Sequence, residues 1–213
     1  MLARLAHDRG HPQHEGRDRV IGVIDYGAGN IASVCNALTY IGKETTIIPG
    51  PEKMERCDAL VFPGVGSFGA MVDNLRERSL FEPLFEQVRG GTPYLGICLG
   101  LHLLFEGSDE SPDHEGFGLL EGRATRFTKG KVPQIGWNHI DTLIDGMPEG
   151  WAYYVNSYRI ASSSHAIATS DYHGTFIAAV RTGTMTAFQF HPEKSGPYGL
   201  SLLQWWLSCL QRE

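Results

Sequence analysis

The stretch Tyr94-Leu95-Gly96-Ile97-Cys98-Leu99-Gly100, running on into Leu101-His102-Leu103-Leu104-Phe105, constrains the fold more than any other part of the chain. It reads as a strand, a sharp turn and a helix, with Cys98 at the bend. The glycines two before and two after the cysteine have a mechanical reason: a strained strand-to-helix turn crowds the backbone on both sides, and a residue without Cβ fits there. The helix N-terminus adds partial positive charge, which favours thiolate over thiol. A lone cysteine is otherwise a small buried hydrophobe. That reading suits Cys35 on an apolar helical face, Cys57 ahead of a strand and Cys209 in the last helix, which leaves Cys98 as the candidate nucleophile.

Around this element the hydrophobic pattern is regular from Val20 onward. An apolar run at 20–24 ends at Tyr26-Gly27-Ala28-Gly29-Asn30, and Ile31, Val34, Cys35, Leu38 and Ile41 then recur at helical spacing, with Gly42 at the C-cap position. Strands are expected at 45–48, 59–62 and 93–97, with helices between the last two and after the third. Such alternation predicts a parallel sheet covered by helices. Beyond about residue 122 the pattern turns to shorter β-rich stretches at 152–160, 175–180 and 185–190. A last helix follows, with Leu200, Leu203, Leu207 and Leu210 on one stripe. The expected fold class is therefore α/β: one domain over 20–213 with a central, mostly parallel mixed sheet flanked by helices and carrying a nucleophile elbow. At 213 residues and 42% hydrophobic content the chain suits one core rather than two.

Residues 1–19 are polar and without apolar period, as expected of a disordered tail, and a biological start at Val20 fits the same pattern. His7, His11 and His14 in that stretch could bind a metal only with ordered, deprotonated partners. A formal net charge of −6 gives no general electrostatic reason to expect nucleic acid or an anionic membrane as partner. No apolar run approaches the ~20 residues of a membrane-spanning helix. Four irregularly spaced cysteines offer neither metal-ligand spacing nor a disulfide framework, which points to a reducing, cytoplasmic setting with no metal.

A thiolate nucleophile needs an imidazole to pass a proton and an acceptor to orient that imidazole. Phe188-Gln189-Phe190-His191-Pro192-Glu193-Lys194 supplies both, since His191 and Glu193 are two apart and Pro192 favours an extended His191. The glycines of Pro63-Gly64-Val65-Gly66-Ser67-Phe68-Gly69 allow backbone N–H groups to turn towards a developing oxyanion. The same loop could cradle phosphate, but the Gly-Lys-Ser/Thr ending of a phosphate loop is absent. The dinucleotide fingerprint also fails at Gly27–Asn30 for want of its third glycine, so no nucleotide cofactor is expected.

In this order the elements resemble a class I (triad) glutamine amidotransferase domain across 20–213. More narrowly, Asp25-Tyr26-Gly27-Ala28-Gly29-Asn30 and Pro133-Gln134-Ile135-Gly136-Trp137-Asn138, with the loop and triad motifs, are similar to the glutaminase subunits of imidazole glycerol phosphate synthase. The resemblance implies glutamine as substrate, a Cys98 thioester, and ammonia passed to a (β/α)₈-barrel cyclase partner in histidine biosynthesis, in a heterodimer without cofactor. It implies that Gly64, Val65, Gly66, Leu99 and His102 shape the oxyanion and glutamine site, that Asn156, Ser157 and Tyr158 contact the amino acid, and that Tyr26, Asn30, Trp137, Asn138 and Lys194 face the cyclase. Trp137 could equally be plain core and Lys194 a solvated charge. Two positions depart from the family's pattern, His102 where many relatives carry Gln and Asn156 where many carry His. A paralogous glutaminase serving another barrel synthase and a non-catalytic subunit of the same fold remain alternatives on these residues.

Overall fold

The computed structural model describes residues 20–210; the expectation for residues 1–19 lies outside them. In chain order the strands are β1 (Ile21–Ile24), β2 (Thr45–Ile48), β3 (Ala59–Gly64), β4 (Tyr94–Cys98), β5 (Gly107–Ser108), β6 (Arg123–Arg126), β7 (Gln134–Thr142), β8 (Gly150–Asn156), β9 (Tyr158–Arg159), β10 (Ala166–Asp171), β11 (Thr175–Thr182) and β12 (Met185–Phe188). The helices are α1 (Ile31–Tyr40), α2 (Phe68–Glu77), α3 (Phe81–Arg89), α4 (Leu99–Leu104) and α5 (Gly196–Cys209). Short 3₁₀ turns occupy Pro51–Arg56 and Pro192–Lys194.

Nine strands form one sheet in the order β2-β1-β3-β4-β12-β11-β10-β7-β8. From β2 to β12 the pairings are parallel, and from β12 to β8 they are antiparallel. The two halves read differently in sequence because they are covered differently. Every residue of β1, β3 and β4 is buried, since helices lie on both faces, and their runs are continuously apolar. In β7 and β8 burial alternates, so one face meets solvent and carries Ile135, Trp137, Trp151 and Val155 exposed.

Period-2 alternation along the buried strands divides the core in two. Leu60, Phe62 and Tyr94 join Phe68, Met71, Leu84 and Leu101 of α2, α3 and α4 on one face. Val61 and Leu95 join Val34, Leu38, Leu203 and Trp206 of α1 and α5 on the other. The buried stripe of α5 differs from the leucine spacing read in sequence. Leu202, Leu203, Trp206, Cys209 and Leu210 face the core, while Leu200 and Leu207 are only partly covered. Trp206 is fully buried and decides the rotation: turning the Leu200 and Leu207 side inward would take the largest apolar surface in the helix out of the core.

Candidate active site

The chain turns from β4 into α4 at Cys98, which has φ 54° and ψ −103°. That backbone conformation is rare for a residue with Cβ, and the surroundings hold it in place. A Cβ on Gly100 would lie 2.6 Å from the Phe62 carbonyl oxygen, and one on Gly64 would lie 2.7 Å from the Gly100 nitrogen. The end of β3 therefore runs against the elbow at a separation that only glycine permits. Cys98 is 7% exposed and opens on a cavity of about 460 Å³. The other three cysteines, all free, do not line it.

His191 follows β12 and enters the site from the other side. Its N–H donates to the Tyr153 carbonyl at 2.9 Å, and Ser195 Oγ donates to the His191 carbonyl at 2.7 Å while accepting the Tyr153 N–H at 2.9 Å. Ser195 thereby ties the segment to β8, a role with no signal in the sequence. Glu193 is not on an extended backbone as the two-residue spacing suggested. Pro192 opens a 3₁₀ turn, and that turn swings the Glu193 carboxylate back beneath the imidazole. Glu193 Oε1 accepts from His191 Nδ1 at 2.9 Å, with both side chains 1% exposed. Asn30 Nδ2 stands 3.5 Å from the same oxygen.

The carboxylate fixes the proton on Nδ1 and leaves Nε2 facing the sulfur. Among the described residues Nε2 makes no hydrogen bond of ordinary geometry, yet the sulfur is close enough to act on it. Burial lowers the basicity of this imidazole, but Cys98 and Glu193 together outweigh burial and raise its pKa to about 10. The folded protein thus holds this proton more tightly than the unfolded chain, where an imidazole titrates near 6.5. The stabilisation is fully present below about pH 6.5 and is lost as pH rises through about 10. The unfolding midpoint should fall between pH 6 and pH 10 by at least ~4 °C more in the wild type than in His191→Asn, read by circular dichroism. Equal falls in both would show that His191 carries no such charge.

The cavity brings together most of the residues the resemblance pointed to. Asn30, Val65, Gly66, Leu99, His102, Asn156, Ser157, Tyr158 and Lys194 line it with Cys98 and His191. Glu110, Pro133 and Val155 also line it and were not foreseen. Glu110 is placed there because its Oε2 accepts the Phe68 N–H at 2.8 Å and so caps α2 from a distant loop, a contact no local pattern announces. Gly64 lies behind the wall at the end of β3. Asn156 Nδ2 donates to the Tyr158 carbonyl at 3.0 Å, and its buried Oδ1 has no partner among the described residues. Leu99 opens α4, so its N–H has no acceptor within the helix.

One expectation changes and one gains a detail. Val65, placed by the resemblance among the residues that shape the oxyanion and glutamine site, donates its N–H to the Tyr26 hydroxyl at 2.9 Å, and that hydroxyl donates to the Val65 carbonyl at 3.0 Å. Tyr26, foreseen on a partner face, is 1% exposed with its ring stacked on Phe62 at 5.1 Å, so here it offers a partner no surface. Trp137, by contrast, is 55% exposed, which rules out the plain-core reading. Asn138 is half-buried and donates to the Asp171 carbonyl at 2.8 Å, and Lys194 is exposed at the cavity rim.

A strained elbow cysteine, an imidazole whose other nitrogen is held by a carboxylate, and a cavity beside them form an arrangement able to perform acyl transfer through sulfur. The model of the family "Glutamine amidotransferase class-I" matches residues 22–208. The chain therefore belongs to the class I glutamine amidotransferases. Solved structures share the fold: a chain described as glutamine amidotransferase superimposes with a TM-score of 0.75 at 20% identity, covering 90% of this chain and 98% of the other. PurLQS from Thermotoga maritima gives 0.73 at 17%, covering 91% and 100%. Within the class, the chain is a member of the HisH family, the imidazole glycerol phosphate synthase subunits. The HisH subunit of Desulfitobacterium hafniense is 41% identical over 194 residues, which is 87% of this chain and 92% of that one. The HisH subunit of Methanothermobacter thermautotrophicus is 41% identical over 192 residues, covering 87% and 96%.

Proposed function

We propose that this chain is the glutaminase subunit of imidazole glycerol phosphate synthase, with Cys98, His191 and Glu193 as its catalytic residues. The observation that carries the roles is the 2.9 Å bond from His191 Nδ1 to Glu193 Oε1 beside an elbow cysteine that opens on the cavity. The Cys98 thiolate attacks the carboxamide carbon of glutamine, forming a C–S bond and placing negative charge on the former carbonyl oxygen. The C–N bond then breaks, and the His191 imidazolium gives its proton to the departing nitrogen, which leaves as ammonia. Water adds to the thioester as His191 takes its proton. The C–S bond breaks, glutamate leaves, and the thiolate is restored. Glu193 holds the imidazole in register and stabilises its charged form throughout.

The ammonia is destined for a cyclase subunit of (β/α)₈-barrel form, in a cytoplasmic heterodimer. Supporting a second unit, the Schizosaccharomyces pombe relative named "Imidazole glycerol phosphate synthase hisHF" is 38% identical over 205 residues that make up 38% of its length. The exposed aromatic face of β7 and β8, with Trp137 at its centre, borders the cavity through Pro133 and Val155 and suits a docking surface for that partner. Glutamate production from glutamine, measured for the chain alone and with the barrel cyclase, with and without the cyclase's nucleotide, tests the reading. Turnover should appear chiefly in the liganded complex; no turnover in any mixture would overturn it.

A further inference from the structure

The sulfur of Cys98 has a second polar neighbour that the triad chemistry does not use. Gln189 is fully buried and lies two residues before His191, in the bend that follows β12. Its N–H donates to the Ala178 carbonyl at 2.9 Å, which pins the segment at that point as the Tyr153 bond pins it at His191. The Gln189 carboxamide then bridges two groups on α4 and its cap: Nε2 lies 3.8 Å from Cys98 Sγ, and Oε1 lies 2.9 Å from His102 Nε2. His102 is itself 2% exposed, and its Nδ1 has no partner among the described residues.

A carboxamide has a donor end and an acceptor end, and only the donor end is compatible with a negatively charged sulfur. Which end faces Cys98 is decided at the other end of the amide. If His102 Nε2 carries the proton, Gln189 must present Oε1 to it and NH₂ to the sulfur. If Nε2 is bare, the amide reverses and sets an oxygen against the sulfur. Burial lowers the His102 pKa to about 4, so the ring is neutral and carries a single proton. We infer that Gln189 donates a hydrogen bond to the Cys98 thiolate, and that His102 is the positioning residue that keeps the amide this way round by donating from Nε2. The sulfur then has the imidazole on one side and an amide N–H on the other. In this arrangement His102 reaches the chemistry through Gln189. The inference rests on Cys98 being the nucleophile.

The test is the rate at which iodoacetamide alkylates Cys98 in the full chain, followed from pH 5 to 10 by peptide mass spectrometry, which separates Cys98 from the other cysteines. The ionisable groups around the sulfur are His191 and Glu193 on the turn after β12, His102 on α4, Tyr26 after β1, and Glu110 and Lys194 on the cavity wall. All are unchanged in a Gln189 variant. Losing a hydrogen bond to a charged group should slow alkylation at pH 7 about tenfold in Gln189→Leu and move the profile's midpoint to higher pH. Glutamine turnover in the presence of the cyclase should lose kcat by a similar factor with KM within about threefold. Gln189→Met keeps the size but offers no donor and no charge, so it reports the same loss should the leucine variant fold poorly. His102→Leu should show the same slowing, and His102→Gln, which can still donate to Oε1, should restore most of it. An unchanged alkylation profile in both Gln189 variants overturns the inference, as does slowing in His102→Gln equal to that in His102→Leu. Wild-type Cys98 that no alkylator reaches at any pH would instead overturn the proposed nucleophile.

Discussion

Replacing Cys98 with alanine is expected to lower glutamate production by at least ~10⁴-fold while leaving the chain folded and able to bind its cyclase. Removing the nucleophile of a covalent mechanism leaves only binding and oxyanion stabilisation, which together support a small remnant of the rate. Alanine is smaller than cysteine and fits the same wall, but the elbow's positive φ is as unfavourable for alanine as for cysteine, so stability should change little. The measurement is steady-state glutamate release by the liganded complex, with wild type and variant at equal concentration, together with binding of each to the cyclase. Activity above a few per cent of wild type, with binding intact, would show that sulfur is not the attacking atom. Loss of both activity and binding would show that the variant tests folding rather than chemistry, and Cys98→Ser would then replace it.

The elbow and the parallel half of the sheet were legible because their sequence signals are local. Gly96 and Gly100 flank Cys98 for a steric reason that survives in the structure, where the end of β3 presses against the turn. The strand at 59–62 read correctly because a strand buried on both faces must be apolar throughout, whereas β2, an edge strand with Ile47 exposed, was marked by the Gly and Pro that bound it. The antiparallel half was less legible. β7 runs for nine residues from Gln134 with one face wet, and Gly136, Trp137 and Asn138 do not alternate cleanly enough to announce a strand. Of the leucine stripe read for the last helix, Leu203 and Leu210 are buried but Leu200 and Leu207 are only partly covered, because burial centres on Trp206.

In the site, residue types were legible but their connections were not. Cys98, His191 and Glu193 come from motifs that each carry their own chemical logic, and the structure brings all three together. Glu193 arrives by a 3₁₀ turn rather than along a strand, because Pro192 suits the first position of such a turn as readily as it restrains His191. Ser195, Glu110 and Gln189 act through partners 42, 42 and 91 residues away, and nothing local marks a side chain for a distant backbone N–H or sulfur. Tyr26 shows the same limit in reverse: a residue that the resemblance placed on the partner face hides its aromatic ring in the core.

Tyr26→Phe is expected to raise the glutaminase activity of the chain without its cyclase, by about tenfold. As it stands, both polar groups of Val65 are engaged by one hydroxyl, so an N–H of the loop expected to shape the oxyanion site is directed to Tyr26. Burial raises the Tyr26 pKa to about 12, so near neutral pH the hydroxyl keeps its proton and can both donate and accept. Phenylalanine removes the hydroxyl and retains the ring, which stays stacked on Phe62. Val65 is only half-buried, so water can satisfy its freed groups and little stability is lost. A single oxyanion donor is worth about 10²–10³ in rate, and a freed peptide would meet the requirement only part of the time, hence the smaller gain expected. With the liganded cyclase present, wild type and variant should converge, because the partner would then impose the productive orientation on both. The decisive comparison is partner-free glutamate release by the two proteins. A variant slower than wild type both alone and in the complex would mean that Tyr26 holds Val65 in its working position. The oxyanion would then have to be met elsewhere, with the Leu99 N–H at the start of α4 as the first place to look.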